Sequence, residues 1–474
     1  MEFNPFQRKF RKGLKKVALV YPNRYAGGVA NIGLQQIYAE VNEFAICERF
    51  YADLFDGLKS LESQTPLSEF DFALFSLQYE MDYFKAVEII ENSNFKGIKI
   101  AGGPCVMENP KPLLQFFDAF FIGEVEGRLH EILGVRSPEE LCGMEGVYTG
   151  KEEKVRRVFP KLGKHLENEI IADGAYGRCF LLEIGRGCIR RCTFCLVRQI
   201  YAPPRWRRLE DLPEIKGVNK VAIIAPSPTD HPNFKDILQI FIEKGFEVSP
   251  SSLRADTLDD ELLELLRAGN VRTITLAPET ASVELSEFLK KGFSFEDVKR
   301  AAEISAGKFE KLKLYFMIGI PGEGLEDVRR IVEQSRELKK YIPKIEISVN
   351  PLVPKPHTPL QWLGFGGHGG LAELKRKVEL LNILSQKYGI GLSKLSLNEF
   401  VIQTILARGD QRVSGILQGE GYRKYLGFLD PFEIDAELPW DFIDHGYRKS
   451  RLVKEFEEIM LAISRNLLPQ NERL

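Results

Sequence analysis

Cysteine is scarce in this chain and is absent after residue 195. The seven cysteines of the 474-residue sequence are Cys47, Cys105, Cys142, Cys179, Cys188, Cys192 and Cys195. Their odd number and uneven spacing do not match the paired pattern of a disulfide framework. We therefore expect a reducing compartment, where thiols stay free.

The sequence also lacks long apolar runs and a surplus of either charge. No stretch reaches the roughly 18 apolar residues of a membrane span, and residues 1–6 carry no apolar signal core. The 65 basic and 67 acidic residues give a net charge of -2, which argues against binding nucleic acid through bulk charge. We expect a cytoplasmic protein without membrane contact, built from two or three domains of about 150 residues each.

A run of three closely spaced cysteines is the most informative feature that is present. Cys188, Cys192 and Cys195 stand in CxxxCxxC order, and Phe194 precedes the last of them. Three thiolates can hold three irons of a [4Fe-4S] cube, which leaves the fourth iron free to chelate the amino and carboxylate groups of S-adenosylmethionine (SAM). A structural zinc site would need four ligands in paired spacing, and no second pair follows. A chance cluster of cysteines in a loop is the other alternative.

This motif resembles that of the radical SAM superfamily. The resemblance implies that the cluster passes an electron to SAM, which is cleaved to a 5'-deoxyadenosyl radical that abstracts hydrogen from an unactivated carbon. It also implies a partial (β/α)6 barrel. Six apolar strand candidates fit that barrel, and they lie at residues 180–184, 220–225, 246–251, 272–277, 312–318 and 345–349.

An earlier set of apolar strands predicts a second α/β unit. Continuous apolar strands followed by helical patterns indicate a doubly wound parallel sheet of the flavodoxin or Rossmann type. Its strands are expected at residues 17–21, 72–77, 98–101 and 119–122. With its Gly102-Gly103-Pro104 and Gly123-Glu124-Val125-Glu126 turns, this unit resembles the cobalamin-binding-like domain that precedes many radical SAM barrels. The Asp-x-His-x-x-Gly motif of that domain is missing after residue 21, so any cobalamin is expected to bind without a histidine ligand.

These patterns divide the chain into four parts. We predict a cobalamin-binding-like domain over residues 1–145, a hairpin and linker over 146–178, the barrel over 179–365 and a mainly helical region over 366–474. The last part shows no readable function.

The carboxyl ends of barrel strands are where active residues belong, and polar or glycine residues occur at each of them. Ser227, Thr229 and Asp230 could receive the SAM ammonium, although an Asp230 turn cap is an equal alternative. Arg254 could pair with the SAM carboxylate, with Glu279 or with Asp256. By resemblance, Glu279 contacts SAM and the 318–322 segment lies against adenine. The cofactor-binding candidates are Phe194, Ser227, Asp230, Arg254, Glu279, Ile318, Gly319, Gly322 and Asn350; Lys355 and His357 are substrate-side candidates.

Three functions remain open from the sequence. The first is a radical SAM enzyme, with cobalamin-dependent methylation of an unactivated carbon as one form of its chemistry. The second is corrin-independent modification of RNA or a ribosomal component. The third is a non-catalytic iron-sulfur or corrinoid carrier. A methylthiotransferase would need a second cluster on three amino-terminal cysteines, but Cys47, Cys105 and Cys142 do not match that placement and are better explained by buried packing.

Basic residues crowd the cysteine motif although the chain is slightly acidic. These are Arg186, Arg190, Arg191, Arg198, Arg205, Arg207 and Arg208. We predict that they form a docking surface for an acidic electron donor such as flavodoxin or ferredoxin, or for an anionic substrate such as RNA. The alternative is a solvated loop without a partner.

Overall fold

The computed structural model describes residues 2–8, 12–160 and 170–467. Its amino-terminal part is a six-stranded sheet with short helices. The strands are β1 Lys16–Tyr21, β2 Ile46–Tyr51, β3 Phe72–Ser76, β4 Ile98–Gly102, β5 Ala119–Phe121 and β6 Val147–Tyr148; the helices are α1 Tyr25–Gly28, α2 Ile32–Val41, α3 Asp82–Asn92, α4 Pro104–Glu108 and α5 Leu129–Ile132.

The strand order is β2-β1-β3-β4-β5-β6, and all pairs are parallel except β5 with β6. Alternate residues of β1 enter different cores, with Ala18 and Val20 on one face and Val17 and Leu19 on the other. Both faces are therefore covered, as expected for a doubly wound sheet. The order matches the flavodoxin-like arrangement with one added antiparallel edge strand.

The sequence interpretation missed β2 because its middle is polar. Arg49 is only 1% exposed, and its guanidinium pairs with Glu2 and with Glu62, whose Oε1 lies 2.7 Å from Arg49 Nε. A buried arginine of this kind needs partners that are distant in the sequence. The local pattern alone could not identify it.

The segment predicted as a hairpin and linker has several roles. A hairpin does form, from β8 Asp173–Gly174 and β9 Gly177–Arg178. However, β6 joins the amino-terminal sheet, and β7 Val155–Arg156 pairs in parallel with β19 Ile443–Asp444 near the carboxyl end. Residues 161–169 of the predicted linker lie outside the described residues.

The central part is a partial barrel. Its bounds are β10 Phe180–Glu183, β11 Gly185–Arg186, α6 Val197–Ile200, β12 Arg205–Trp206, β13 Lys220–Ile224, α7 Phe234–Glu243, β14 Glu247–Pro250, α8 Asp260–Ala268, β15 Thr273–Glu279, α9 Val283–Phe288, α10 Phe295–Ile304, β16 Lys311–Ile318, α11 Leu325–Glu337 and β17 Lys344–Pro351. The strands β10-β13-β14 and β15-β16-β17 are parallel, and a bridge between Leu253 and Leu276 joins the two sets. All six predicted barrel strands are present.

Burial alternates along the barrel strands. In β16, Leu312, Leu314 and Phe316 are buried against the surrounding helices, while Lys313 and Tyr315 are partly exposed. The same alternation runs along β17. One face of these strands thus belongs to the core, and the other faces a partly solvated interior.

The carboxyl-terminal part is mainly helical, as predicted. It consists of α12 Gly370–Tyr388, β18 Gly391–Leu392, α13 Leu397–Arg408, two 3₁₀ segments at Gln411–Gln418 and Tyr422–Leu429, β19, and α14 Lys449–Leu467. The short strand β18 extends the barrel sheet beside β17. Across the described parts of the chain, no helix combines the length and apolarity needed to cross a bilayer.

Candidate functional site

The cysteine loop leaves the carboxyl end of the first barrel strand, β10. Cys192 is buried, whereas Cys188 and Cys195 are partly exposed. Burial is the main cause that raises the pKa of Cys192 and Cys195, and the earlier cysteines of the loop raise it further because the three thiols lie near one another. Among the described residues, no three His, Cys, Asp or Glu side chains converge on a site for a single metal ion. The three thiolates that hold a [4Fe-4S] cube lie farther apart than the ligands of a single metal ion, because each thiolate binds a different iron.

Burial raises the pKa of all three thiols, and that of Cys195 to about 11. Nearby cations oppose this effect: Lys291 and Arg254 lower the pKa of Cys192. The backbone N–H of Arg190 also donates to Cys188 Sγ at 3.4 Å. Metal binding removes the thiol protons, so a cluster held by three thiolates carries net negative charge. The nearby cations would stabilise that charge.

The end of β13 meets the cysteine loop. Asp230 accepts hydrogen bonds from Arg190 Nε at 2.9 and 3.0 Å. Burial raises the pKa of Asp230, but the hydrogen bonds and charge of Arg190 outweigh burial and lower it overall. The buried Thr229 hydroxyl has no hydrogen-bond partner within the described parts of the chain, and Ser227 is 8% exposed beside Asp230. Asp230 is therefore an ion-pair partner of the loop, and Thr229 is a buried group that a ligand could satisfy.

Arg254 and Glu279 also lie near the cysteines, but they do not pair with each other. Arg254 binds Asp256 in a two-pronged pair with distances of 2.9 and 2.8 Å. Glu279 pairs with Lys291 at 2.9 Å, and the Lys291 ammonium lies 5.9 Å from the Phe194 ring centre. Of the two protein partners considered for Arg254, it pairs with Asp256 and not with Glu279; its pairing with the SAM carboxylate stays a prediction. The sequence interpretation missed Lys291, which lies after α9 and carries no motif signal.

The backbone at Glu279 is strained. Its φ is +69°, in the left-handed region that non-glycine residues rarely adopt, and the register of β15 against β16 shifts between Leu276 and Glu279. Such strain is concentrated at functional sites. The irregularity turns Glu279 toward Lys291 and the cysteine loop.

The end of β16 departs from the prediction at one position. Ile318 is fully buried in the core between strands and helices, so its side chain does not face the cysteine loop. Ile320 packs instead in a separate apolar cluster that Phe194 and Met317 also contact. Gly319 and Gly322 have φ of +79° and +83°, which explains why the turn between them needs glycine.

Asn350 lies at the end of β17, next to Met317 of β16 in the register. It is exposed, and it falls on the partly solvated face of the strand.

The predicted arginine docking surface is wrong for most of its members. Arg186 pairs with Glu124, Glu126 and Glu183, and Arg205 also pairs with Glu124. Arg190, Arg198 and Arg208 pair with Asp230, Glu455 and Asp211, and Arg207 is buried with hydrogen bonds to backbone carbonyls. Glu124, Glu126, Asp230 and Glu455 come from distant segments, which local charge counting ignores. Arg191 remains exposed.

Lys355 and His357 lie between the barrel and the amino-terminal domain, where His357 is buried and Lys355 is partly exposed. Lys355 Nζ pairs with Glu80 and with Glu108, the latter at 3.0 Å. His357 Nε2 bonds to the Glu108 carbonyl at 3.0 Å, and its ring packs on His445, 4.3 Å between centres. Through these contacts, Lys355 and His357 link the loop after β17 to helix α4.

A cavity of about 520 Å³ lies between the amino-terminal sheet and the barrel. Its wall is mainly apolar and combines the ends of β3, β4 and β5 with the start of the cysteine loop and the ends of β13 and β14. It includes Ser76, Gly102, Gly103, Glu124, Glu126, Glu183, Arg186, Gly187, Ala225 and Ser251. Ligands of parallel α/β sheets bind beyond the carboxyl ends of strands, and two such sets of strand ends meet here.

Family models match both halves of this arrangement. The radical SAM superfamily model matches residues 182–334, and the model for the N-terminal region of radical SAM proteins matches residues 33–146. An uncharacterized protein of Methanocaldococcus jannaschii is 40% identical over 424 residues, which cover 86% of this chain and 91% of the relative.

More distant similarities extend to proteins with named activities. The ribosomal protein uS12 methylthiotransferase RimO of Petrotoga mobilis is 22% identical over 54% of this chain and 59% of its own length. The radical SAM methyltransferase TsrM from Kitasatospora setae shares the fold with a TM-score of 0.56 at 16% identity, over 73% of this chain and 75% of that chain. The fold, the cysteine loop and these relatives agree: the chain belongs to the radical SAM superfamily, whose members use a [4Fe-4S] cluster, SAM and an electron donor.

Proposed function

We propose that this radical SAM enzyme is a cobalamin-dependent methyltransferase that acts on an unactivated carbon. The observation that carries the proposal is the cavity of about 520 Å³ between the two sets of strand ends. Its volume lies within the usual range for a small-molecule or cofactor site. The TsrM structure that shares this fold was solved with cobalamin and a [4Fe-4S] cluster bound.

The chain has residues that would hold the cluster and SAM. Cys188, Cys192 and Cys195 would bind three irons of the cluster. Thr229 and Glu279 would take the polar end of SAM beside the open iron, and the 319–322 turn would receive its adenine. When bound, the cluster supplies the electron, SAM supplies the radical and the methyl group, and cobalamin carries that methyl group. The protein's own part is to hold these groups and to exclude water from the radical.

The cavity joins a mainly apolar wall with charged residues at the domain interface, and it reaches the backbone of β4. A Cβ built on Gly102 would meet no atom within 4 Å, so this glycine opens onto free space. No histidine is among the described residues that line the cavity. We therefore propose that cobalamin binds here without a protein imidazole as its lower ligand.

Filling the cavity tests this function. Gly102→Leu places a side chain in the open space, whereas Gly421→Leu adds the same bulk at an exposed glycine that also has no neighbour within 4 Å. After anaerobic reconstitution, we expect the wild type and Gly421→Leu to bind about one cobalamin per chain, and Gly102→Leu to lose it. Formation of both 5'-deoxyadenosine and S-adenosylhomocysteine should follow cobalamin binding. Equal cobalamin binding by all three proteins would contradict the proposal.

A second candidate is corrin-independent modification of RNA or a ribosomal component, which the RimO similarity supports. A methylthiotransferase-type second cluster finds no support in the cysteine positions. Cys47 is buried in the core on one face of the amino-terminal sheet, and Cys105 is buried in the core on the other face. The prediction of buried packing is wrong for Cys142, which is exposed. Production of 5'-deoxyadenosine without S-adenosylhomocysteine or cobalamin binding would favour this candidate. The absence of both products would favour a non-catalytic carrier.

We also propose that an acidic donor such as flavodoxin or ferredoxin docks on the cysteine loop from the cytoplasm. Ile189 is 53% exposed and Arg191 is exposed beside it. An apolar residue next to a cation suits the acidic rim and apolar centre of a docking partner.

A further inference from the structure

Glu323 lies inside the turn that follows β16 and is enclosed by the protein. Its side chain is 0% exposed. One carboxylate oxygen, Oε2, accepts from the backbone N–H of Gly319 at 2.6 Å and from Lys377 Nζ at 2.9 Å. Lys377 Nζ also donates to the backbone carbonyl of Glu323 at 2.9 Å. A single lysine thus holds both the side chain and the backbone of this residue.

Lys377 comes from helix α12 in the carboxyl-terminal part, 54 residues further along the chain. Its side chain is only 2% exposed, and it also faces Glu373 at 3.2 Å. A buried charge of this kind is stable only when it is paired. The other Glu323 oxygen, Oε1, has no hydrogen-bond partner among the described residues, so the pair with Lys377 and the Gly319 N–H carry the whole stabilisation.

The same helix packs directly against the turn. A Cβ on Gly319 would lie 2.9 Å from a side-chain carbon of Leu374 on α12 and 3.4 Å from the Gly366 Cα. The backbone of the turn is therefore held by α12 from one side and by the Glu323 carboxylate from within. Its opposite side, toward Ile320, packs with the apolar cluster that Phe194 of the cysteine loop contacts.

We propose that Lys377 is a positioning residue for SAM: through Glu323 it fixes the Gly319–Gly322 turn in the shape that receives adenine, so the carboxyl-terminal part completes the SAM site. This inference rests on the placement of SAM at the turn described under the proposed function. It gives the carboxyl-terminal part, whose sequence carries no functional signal, a defined role.

The test is SAM affinity of the reconstituted full-length enzyme, measured by calorimetry under anaerobic conditions. Lys377→Met keeps the length of the side chain but removes the charge. The control is Lys375→Met, because Lys375 lies on the same helix and is exposed. Since coupling between two such sites is commonly worth 5- to 150-fold, we expect Lys377→Met to weaken SAM binding about tenfold and Lys375→Met to leave it unchanged.

A double variant separates positioning from general loss of structure. In Glu323→Gln/Lys377→Met, the amide oxygen can still accept from Gly319 N–H and no buried charge remains at position 323, while Glu373 is 35% exposed and solvated, so we expect SAM affinity to recover most of the loss. Unchanged affinity in Lys377→Met, or equal weakening in the single and double variants, overturns the proposal. Gly322→Ala is measured in parallel: if it also leaves SAM affinity unchanged, the placement of SAM at this turn is what fails.

Discussion

Burial dominates the chemistry of the three cysteines between residues 188 and 195. It raises the pKa of each thiol, so free thiolates are scarce until iron displaces the protons. We expect about four irons per chain after reconstitution, from a single cube on three thiolates. Cys192→Ala should lose the cluster absorption, while Cys142→Ala, at an exposed cysteine outside the loop, should keep it. An iron content near eight per chain would contradict the single cluster.

Glu279 combines a strained backbone with a buried carboxylate. Burial raises its pKa and the pair with Lys291 opposes that effect, so its charge depends on one partner. Glu279→Gln removes the charge at nearly constant volume, and we expect SAM to bind about tenfold more weakly, as for the loss of one hydrogen bond to a charged group. Titration calorimetry would measure this. Glu284→Gln is the control, because Glu284 accepts a hydrogen bond from Ser282 at the start of α9; equal affinities in both variants would remove Glu279 from the SAM site.

At the scale of elements, the loop after β17 should make stability depend on pH. Burial lowers the pKa of His357 to about 3, well below the ordinary value near 6.5. Below about pH 6.5 the unfolded chain takes up a proton that the folded chain refuses, so folding stability falls as pH falls. The slope for this residue is about 1.4 kcal/mol per pH unit down to about pH 3.

His357→Gln checks this, because its amide can still donate to the Glu108 carbonyl and does not titrate. The free energy of unfolding of both proteins would be compared between about pH 7.5 and 5.5. The difference in the free energy of unfolding between the wild type and His357→Gln should shrink toward acid pH, because only the wild type loses the contribution of His357. The contributions of His231 and His445 cancel, since both proteins contain them. A difference that does not change with pH would show that His357 is not held neutral.

The cysteine loop itself is the element that a reductant must reach. Reversing the charge with Arg191→Glu should slow reduction of the cluster by flavodoxin and spare reduction by dithionite, which needs no protein docking. Arg208→Glu is the control, because Arg208 is already paired with Glu210 and Asp211. The effect should decline with salt, because exposed charges are screened beyond about 8 Å at physiological ionic strength. Identical flavodoxin rates for both variants would exclude docking through Arg191.

At the scale of the whole molecule, a buried charge network ties the amino-terminal domain to the barrel. Arg186, two residues before Cys188, contacts Glu124 and Glu126 of the amino-terminal domain at 2.6 and 2.7 Å. Glu124 and Arg186 both line the cavity of about 520 Å³. These ion pairs between the amino-terminal domain and the barrel therefore fix the distance between the cavity and the cysteine loop.

The proposal that cobalamin binds in this cavity predicts the ligands of its cobalt. We expect electron paramagnetic resonance of the Co(II) form to show no nitrogen superhyperfine splitting from a protein imidazole, because no described lining residue is a histidine. His130 is the matched probe: it contacts the Phe44 ring edge-on in the amino-terminal domain, and His130→Ala should leave the spectrum unchanged. Splitting that disappears in His130→Ala would overturn the assignment.

The sequence determined the features whose signals are local. Three cysteines at short spacing, apolar strands with alternating burial, and glycine at strand ends act within a few residues, so the cysteine loop, the six barrel strands and both α/β units were predictable. Strand β2 was not, because its buried Arg49 depends on Glu2 and Glu62. The domain boundaries and the SAM contacts of Ser227, Asp230, Arg254, Glu279 and Asn350 stay predictions.

Only the tertiary structure decided which charges face solvent and which groups meet. Four of the seven arginines around the cysteines pair with acidic residues that are far away in the chain, and Glu124 and Glu455 are among these partners. Lys355 and His357, which belong to a proline-rich stretch, contact Glu80 and Glu108 of the amino-terminal domain. Lys377 reaches Glu323 from a helix without any motif. Short-range patterns fix strands and loops, whereas electrostatic pairing acts between any groups that folding brings within a few ångströms.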